Sequence, residues 1–329
     1  MFVRIAAAAL ASISVASCAA QPQAQAASKT AENVSDGSAW SPYPGASKDA
    51  EFLKATPAEF LPFVKACNPW DEWDKPAPPF KIHGNTYYVG TCGIGAILIV
   101  GDDGHVLIDT GTRKGAEVVA ANIRTLGFKL EDVAVILHSH EHYDHVGGFA
   151  WMREQTGAEI LASPEAAKVL ESGVAAAEDP QFEMHEPMAP VTVANIVEGG
   201  DVVTGGSISL TPVRTPGHSP GALSWQWKSC EGDVCLNIVY ADSLSPVSRN
   251  DYKFSEHPEY LAAYEAGLER LARVDCDILI TPHPSHSRLL KRMRNDTMVE
   301  PTACAYYAIG KFQDLEKRLK KESAEPDAE

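Results

Sequence analysis

The sequence predicts an α/β protein built from two successive halves, and three observations carry that prediction. Apolar strand-like runs alternate with amphipathic helical stretches from Thr86 to Glu171. The same alternation returns from Ile208 to Lys320. Residues of metal-ligand type follow the apolar runs in both halves: HSHEHYDHVGG at 138–148 in the first, His218 and His283 in the second.

Composition narrows the function classes. The 329 residues are 45% hydrophobic and 22% charged, ordinary for a globular chain and unlike a disordered one. With 28 basic and 44 acidic residues the formal net charge is −16, which disfavours nucleic-acid partners. No apolar run after residue 20 is long enough to span a bilayer. Residues 1–17 read as a signal peptide, with Arg4 ahead of an Ala-rich stretch. Val15-Ala16-Ser17-Cys18 resembles a bacterial lipobox, so Cys18 is expected to be lipidated; cleavage within AAQPQAQA is the alternative. The expected location is therefore the periplasm, with a possible outer-membrane anchor through Cys18. Residues 18–50 read as a flexible tether and 51–329 as the folded domain.

Within that domain the elements follow in order. Residues 68–80 hold four prolines and are expected to be an extended loop. Short strands are expected at Thr86–Val89, Ala96–Val100 and Val106–Asp109, the last two joined by the turn residues Asp102, Asp103 and Gly104. Gly111–Leu126 reads as a helix with Val118, Val119, Ile123 and Leu126 roughly on one face. Val133–Leu137 is a buried-type strand, and helices follow near Gly148–Gln155 and Pro164–Glu171. Residues 173–195 lack periodicity, and a loop that long inside a domain is often functional. Strands are then expected at Ile208–Val213, Ala222–Trp227, Leu236–Ala241 and Asp277–Thr281. Two helices complete the second half: Pro258–Val274, and Thr302–Lys320 with Ile309, Phe312, Leu315 and Leu319 as its buried face. The acidic tail ESAEPDAE is expected to be disordered.

Removing Cys18 leaves six cysteines, an even number in an oxidising compartment. Cys230 and Cys235 flank a hairpin tip between SWQW and LNIVY, which argues for a local disulfide. The pairings 67–92 and 276–304 are expected beside it, although six cysteines allow 15 connectivities.

The strongest chemical signal is His140, His142, Asp144 and His145, an H-x-H-x-D-H run directly after a strand. Three imidazoles and a carboxylate within six positions suit a transition metal, most often zinc. Residues 140 and 142 would point the same way on a strand end while the following turn aims 144 and 145 elsewhere, a geometry that can feed two neighbouring ions. The spacing is not that of a helical zinc-protease motif. His218 in TPGHSPG and His283 in TPHP complete the set.

On these residues the chain resembles the metallo-β-lactamase superfamily over roughly residues 80–290, and within it the B3 subclass of zinc β-lactamases. That resemblance implies an αββα four-layer sandwich with two Zn2+ ions per chain at one edge. It assigns His140, His142 and His218 to one ion and Asp144, His145 and His283 to the other. Asp109 in LIDTG matches the family's structural aspartate. Ser243 and Ser245 in YADSLS match its contacts to a substrate carboxylate, and Ser243 stands where other subclasses carry a cysteine ligand. The Cys276–Cys304 pair and the exported location also fit. The implied activity is hydrolysis of the β-lactam amide bond of penicillins, cephalosporins and carbapenems by a metal-bound hydroxide, in a monomer, with Asp144 as the catalytic carboxylate. The alternatives are a lactonase, thioesterase or phosphodiesterase of the same fold, or a non-catalytic zinc-binding envelope protein. An Asp242 side chain reaching both metals would favour the lactonase or thioesterase. His138 is expected to be structural and His286 an exposed loop residue; His83, His105, His185 and His257 have no motif context.

Overall fold

Two β-sheets packed face to face account for most of the buried apolar side chains. The computed structural model describes residues 4–7 and 56–324. The expectations for residues 1–17 and 18–50 lie outside the described residues, apart from a backbone strand at Arg4–Ala7. Among the described residues one sheet has six strands in the order β1 (Arg4–Ala7), β9 (Asp201–Gly205), β10 (Ile208–Arg214), β11 (Leu223–Glu231), β12 (Val234–Tyr240) and β13 (Ile278–Ile280). The other has seven, in chain order: β2 (Phe80–His83), β3 (Thr86–Tyr88), β4 (Ile97–Ile99), β5 (His105–Ile108), β6 (Val133–Leu137), β7 (Glu159–Ala162) and β8 (Asn195–Ile196).

Strand alternation sorts the side chains into layers. Ile97, Ile108 and Leu137 of one sheet meet Leu210, Trp225, Tyr240 and Ile280 of the other in the central core. Leu98, Leu107 and Ile136 point the opposite way, against Val119 and Ile123 of α2 (Gly115–Thr125) and Phe149 and Met152 of α4 (Phe149–Thr156). Val239 and Leu279 pack outward on Tyr264, Leu268 and Leu271 of α6 (Pro258–Ala272) and on Leu315 of α8 (Ala303–Ala324). Helix, sheet, sheet, helix is the four-layer sandwich expected. Each such buried aliphatic or aromatic side chain is worth roughly 1.5–3 kcal/mol of transfer free energy. The remaining helices are α1 (Leu61–Ala66), α3 (Tyr143–Val146), α5 (Pro164–Ser172) and α7 (Leu289–Arg294).

Three disulfides form with the expected pairing, Cys67–Cys92, Cys230–Cys235 and Cys276–Cys304. The last ties the approach to β13 to the first turn of α8.

Two expectations for the chain end are corrected. The buried stripe of α8 runs Cys304, Tyr307, Ala308, Lys311, Leu315 and Glu322, whereas Ile309 and Phe312 are 51% and 40% exposed. Steps of three and four residues still describe the face, but it includes a lysine, a glutamate and a half-cystine that an apolar stripe passes over. The acidic tail does not begin at Glu322: the helix continues through Ala324, and the Glu322 carboxylate accepts from the backbone N–H groups of Phe254 and Ser255 at 3.0 and 2.9 Å.

Candidate metal centre

Strands β5, β6, β10, β12 and β13 deliver the site. The segment 138–146 leaves β6 and turns at once into α3, whose single turn carries Asp144 and His145. His218 follows β10, Asp242–Ser245 follow β12, and His283 follows β13. Asp109 leaves β5 in the left-handed region, φ 61°, a conformation that costs energy for a non-glycine residue and is held here by its side chain. That carboxylate accepts from Ser139 N at 2.7 Å, Ser139 Oγ at 2.6 Å and Tyr240 Oη at 2.9 Å, so it joins three strand ends across both sheets.

Two clusters converge. His140, His142 and His218 offer ligand atoms within 4.8 Å of one another, and all three are buried. In the second cluster, Asp144 Oδ2 lies 3.0 Å from His145 Nε2 and 3.3 Å from His283 Nε2, and those two nitrogens are 3.3 Å apart. Such crowding of lone-pair atoms, with His140 Nε2 buried and without a hydrogen-bond partner, fits donors arranged around cations.

The opposite ring edges tell which nitrogen is left for a metal. His142 Nε2 donates to Asp179 Oδ2 at 2.9 Å, leaving Nδ1. His218 Nδ1 donates to the Ser245 carbonyl at 2.9 Å, leaving Nε2. His140 Nδ1 stands 2.8 Å from Asp242 Oδ1, and His145 Nδ1 stands 3.6 Å from Asp109 Oδ2. Carboxylate or carbonyl partners on the outer nitrogen are the usual means of fixing a metal-binding imidazole.

The electrostatics follow from crowding buried imidazoles and carboxylates together. Burial, with the neighbouring His145, His218 and His142, pushes His140 well below its ordinary pKa. Burial alone would lift Asp144, but His145 and His283 hold its carboxyl well below the usual range. Burial would lower His145, yet Asp144 and Asp109 outweigh it and raise the imidazole to about 10.

The remaining residues occupy several roles. His138 is buried and structural, as expected: its Nε2 accepts from Ser163 N at 3.1 Å, and burial pushes its pKa down to about 4. Ser243 Oγ is buried with no hydrogen-bond partner, while Ser245 Oγ accepts from Lys311 Nζ at 2.6 Å. His83, His105 and His257 take no part in either ligand cluster. Two histidines differ from expectation. His185, which has no motif around it, stacks on His142 at 4.8 Å and groups with His142 and Asp144. His286 is half-buried rather than exposed, its ring 5.0 Å from that of His283.

Sequence reasoning also missed Glu141, Asp179, Gln181 and Lys311. Glu141 accepts from Ser219 Oγ at 2.6 Å and Gly221 N at 2.7 Å, bolting the first histidine loop to the loop that carries His218. Gly221 is obligatory there, since a Cβ would meet Ala166 N at 2.6 Å and Glu141 Oε2 at 2.8 Å. Asp179 and Gln181 come from the long loop at 173–195, and Gln181 Nε2 lies 3.3 Å from His218 Nε2. The length of that loop was the one signal pointing to them.

A sequence model of the Metallo-beta-lactamase superfamily matches residues 89–231. Among solved structures, the chain is similar to the MIM-2 metallo-beta-lactamase at 51% identity and TM-score 0.78, covering 81% of this chain and 99% of that one. It is similar to MEM-A1, a subclass B3 metallo-beta-lactamase from a soil metagenome library, at 40% identity and TM-score 0.74, covering 78% and 100%. A hydroxyacylglutathione hydrolase of Anaeromyxobacter dehalogenans (strain 2CP-C) is 25% identical over 170 residues, 52% of this chain and about half, 54%, of that enzyme.

Proposed function

The chain belongs to the metallo-beta-lactamase superfamily, and from that premise we propose that it is a subclass B3 zinc β-lactamase that hydrolyses the amide bond of penicillins, cephalosporins and carbapenems. The observation that carries this reading is the pair of clusters, each of three ligand side chains, with His142 and His218 already held by their outer nitrogens. In the proposal His140, His142 and His218 hold one zinc, and Asp144, His145 and His283 hold a second. Zinc so held supplies Lewis acidity toward a carbonyl oxygen and a water acidic enough to be a nucleophile at neutral pH.

The reaction adds water across the lactam C–N bond and leaves a carboxylate and an amine. The chain's own groups prepare it. Asp144 is kept ionised by its two histidine neighbours, so its carboxylate is ready as a ligand without first losing a proton. Asp179 and the Ser245 carbonyl fix the rings of His142 and His218 before substrate arrives, which lowers the reorganisation needed during reaction. Ser243 and Ser245 receive the substrate carboxylate and set the lactam over the metal pair.

The thioesterase or lactonase alternative needs Asp242 between the metals. Its Oδ2 instead accepts from Leu244 N at 3.2 Å and its Oδ1 stands 2.8 Å from one ligand ring, at His140 Nδ1, while the carboxylate itself belongs to neither cluster. The test is turnover of a carbapenem and a cephalosporin by purified protein with and without a zinc chelator. Chelator-sensitive hydrolysis of both is expected. No turnover with two zincs bound would overturn the reading and move it to thioester or lactone substrates.

A further inference from the structure

A buried lysine stands behind one of the serines at the substrate end of the site. Lys311, on the core-facing stripe of α8, is 8% exposed. Its ammonium donates to Ser245 Oγ at 2.6 Å and lies 5.3 Å from the centre of the Tyr307 ring. No carboxylate pairs with it among the described residues; the charges felt at a distance are those of Asp314 and Asp242. Lysine is almost never buried this far without an anionic partner, because losing hydration costs several kcal/mol per ion. Burial also brings its pKa down to about 8, still charged over most molecules at neutral pH.

The ammonium opens on a cavity. Trp70, Ser245, His286, Lys291, Tyr306 and Lys311 are among the residues that line a space of about 860 Å³. This space lies beside the metal centre: His286 on its wall is 5.0 Å from His283, and the carbonyl of Ser245 holds His218. Arg292 lines it too, but its guanidinium is committed to the carbonyls of Leu279 and Met298 at 2.5 and 2.6 Å. The chain as a whole carries −16, a field that repels an anionic substrate, and a fixed cation on the cavity wall offsets that field where a carboxylate settles.

We propose that Lys311 is a substrate-positioning residue: its ammonium, acting through and beside Ser245, supplies the positive charge that holds the carboxylate of an anionic substrate at the cavity mouth. The inference rests on the β-lactamase reading above. The helix brings this cation from outside both strand-end loops, and Tyr307 on the same stripe donates to the Asp242 and Ser243 carbonyls at 2.9 and 2.7 Å. Helix α8 thus grips Asp242, Ser243 and Ser245, with the Cys276–Cys304 bond anchoring its first turn.

The test compares a penicillin with its methyl ester, which removes the substrate's charge and leaves the lactam. For the unsubstituted zinc enzyme the ester should have the higher KM. In Lys311→Met the KM of the free acid should rise about 10-fold or more, as expected for loss of a charged hydrogen bond, with kcat changed much less. The ester-to-acid KM ratio should fall by the same factor. Lys311→Gln, which keeps a donor and loses the charge, should lower the ratio likewise and serves if the Met variant does not fold; Lys311→Arg should restore part of it. An unchanged ratio in the uncharged variants would overturn the inference alone. No turnover by the unsubstituted enzyme would overturn the β-lactamase reading as well.

Discussion

The two walls of the metal centre are built by different means. The wall after β6 is contiguous: within nine residues, 138–146, lie four candidate ligands, a structural histidine, a serine bonded to Asp109 and a glutamate bonded to the opposite loop. The wall from the second sheet is dispersed. His218, Asp242–Ser245 and His283 come from three strand ends, and their supports arrive from the 173–195 loop and from α8. A contiguous wall is fixed by one strand and one helical turn, so damage there should be loss of a ligand. A dispersed wall is fixed by tertiary packing, so damage there should appear as misplacement of a ligand or a substrate.

The sharpest break should come on the contiguous side. Asp144→Asn removes the charge that faces His145 and His283 at 3.0 and 3.3 Å. The second zinc should be lost or weakened, and kcat should fall by on the order of 100-fold or more, beyond the effect usual for an outer-partner substitution. Metal content by atomic absorption, measured alongside steady-state kinetics, checks both. Two tightly bound zincs and full activity would contradict the role given to this carboxylate.

A smaller loss is expected from a support far off in sequence, which reaches from the 173–195 loop to His142 of the contiguous wall. Asp179→Ala frees Nε2 of His142 and removes the acceptor for the Gln181 N–H at 2.7 Å. Zinc affinity should weaken about 10–100-fold, the usual cost of removing the partner of a metal-binding imidazole. Competition with a chromophoric chelator measures it. Unchanged affinity would mean that the loop lies over the centre without supporting it, and the comparison between the walls would lose half its force.

This asymmetry also explains what could be read in advance. The alternation of strands and helices, the ligand run at 140–145 and the hairpin disulfide are local patterns, and the structure has all of them. Asp109 and the two serines became legible only through the family resemblance, because a lone aspartate after a strand or a serine in a loop has no spacing of its own. Glu141 sat inside the motif and was passed over, since its partners, Ser219 and Gly221, lie about eighty residues away. His185 was set aside for want of a motif, and only the fold of its loop brings it to His142. The stripe on α8 was misplaced because hydrophobic periodicity assumes an apolar neighbour. That helix covers a polar segment, so its buried face includes Tyr307 and Lys311, which bond to carbonyls and a hydroxyl of the active-site loop.

The smallest expected effect lies at the substrate end of the dispersed wall. Ser243 Oγ is buried and has no hydrogen-bond partner, although Tyr307 holds the same residue's carbonyl. In the proposed function this buried hydroxyl, in a segment so firmly held, serves the substrate carboxylate. Removing it in Ser243→Ala takes away one hydrogen bond made to the carboxylate through a bridging water, worth about 0.5–1.5 kcal/mol, and leaves the segment's backbone anchors in place. KM should therefore rise by roughly 2- to 12-fold for carboxylate substrates while kcat stays nearly constant. A large fall in kcat at unchanged KM would place Ser243 at the reacting bond instead of at the carboxylate. The dispersed wall would then hold part of the chemistry as well as the substrate, and the division between the two walls would have to be redrawn.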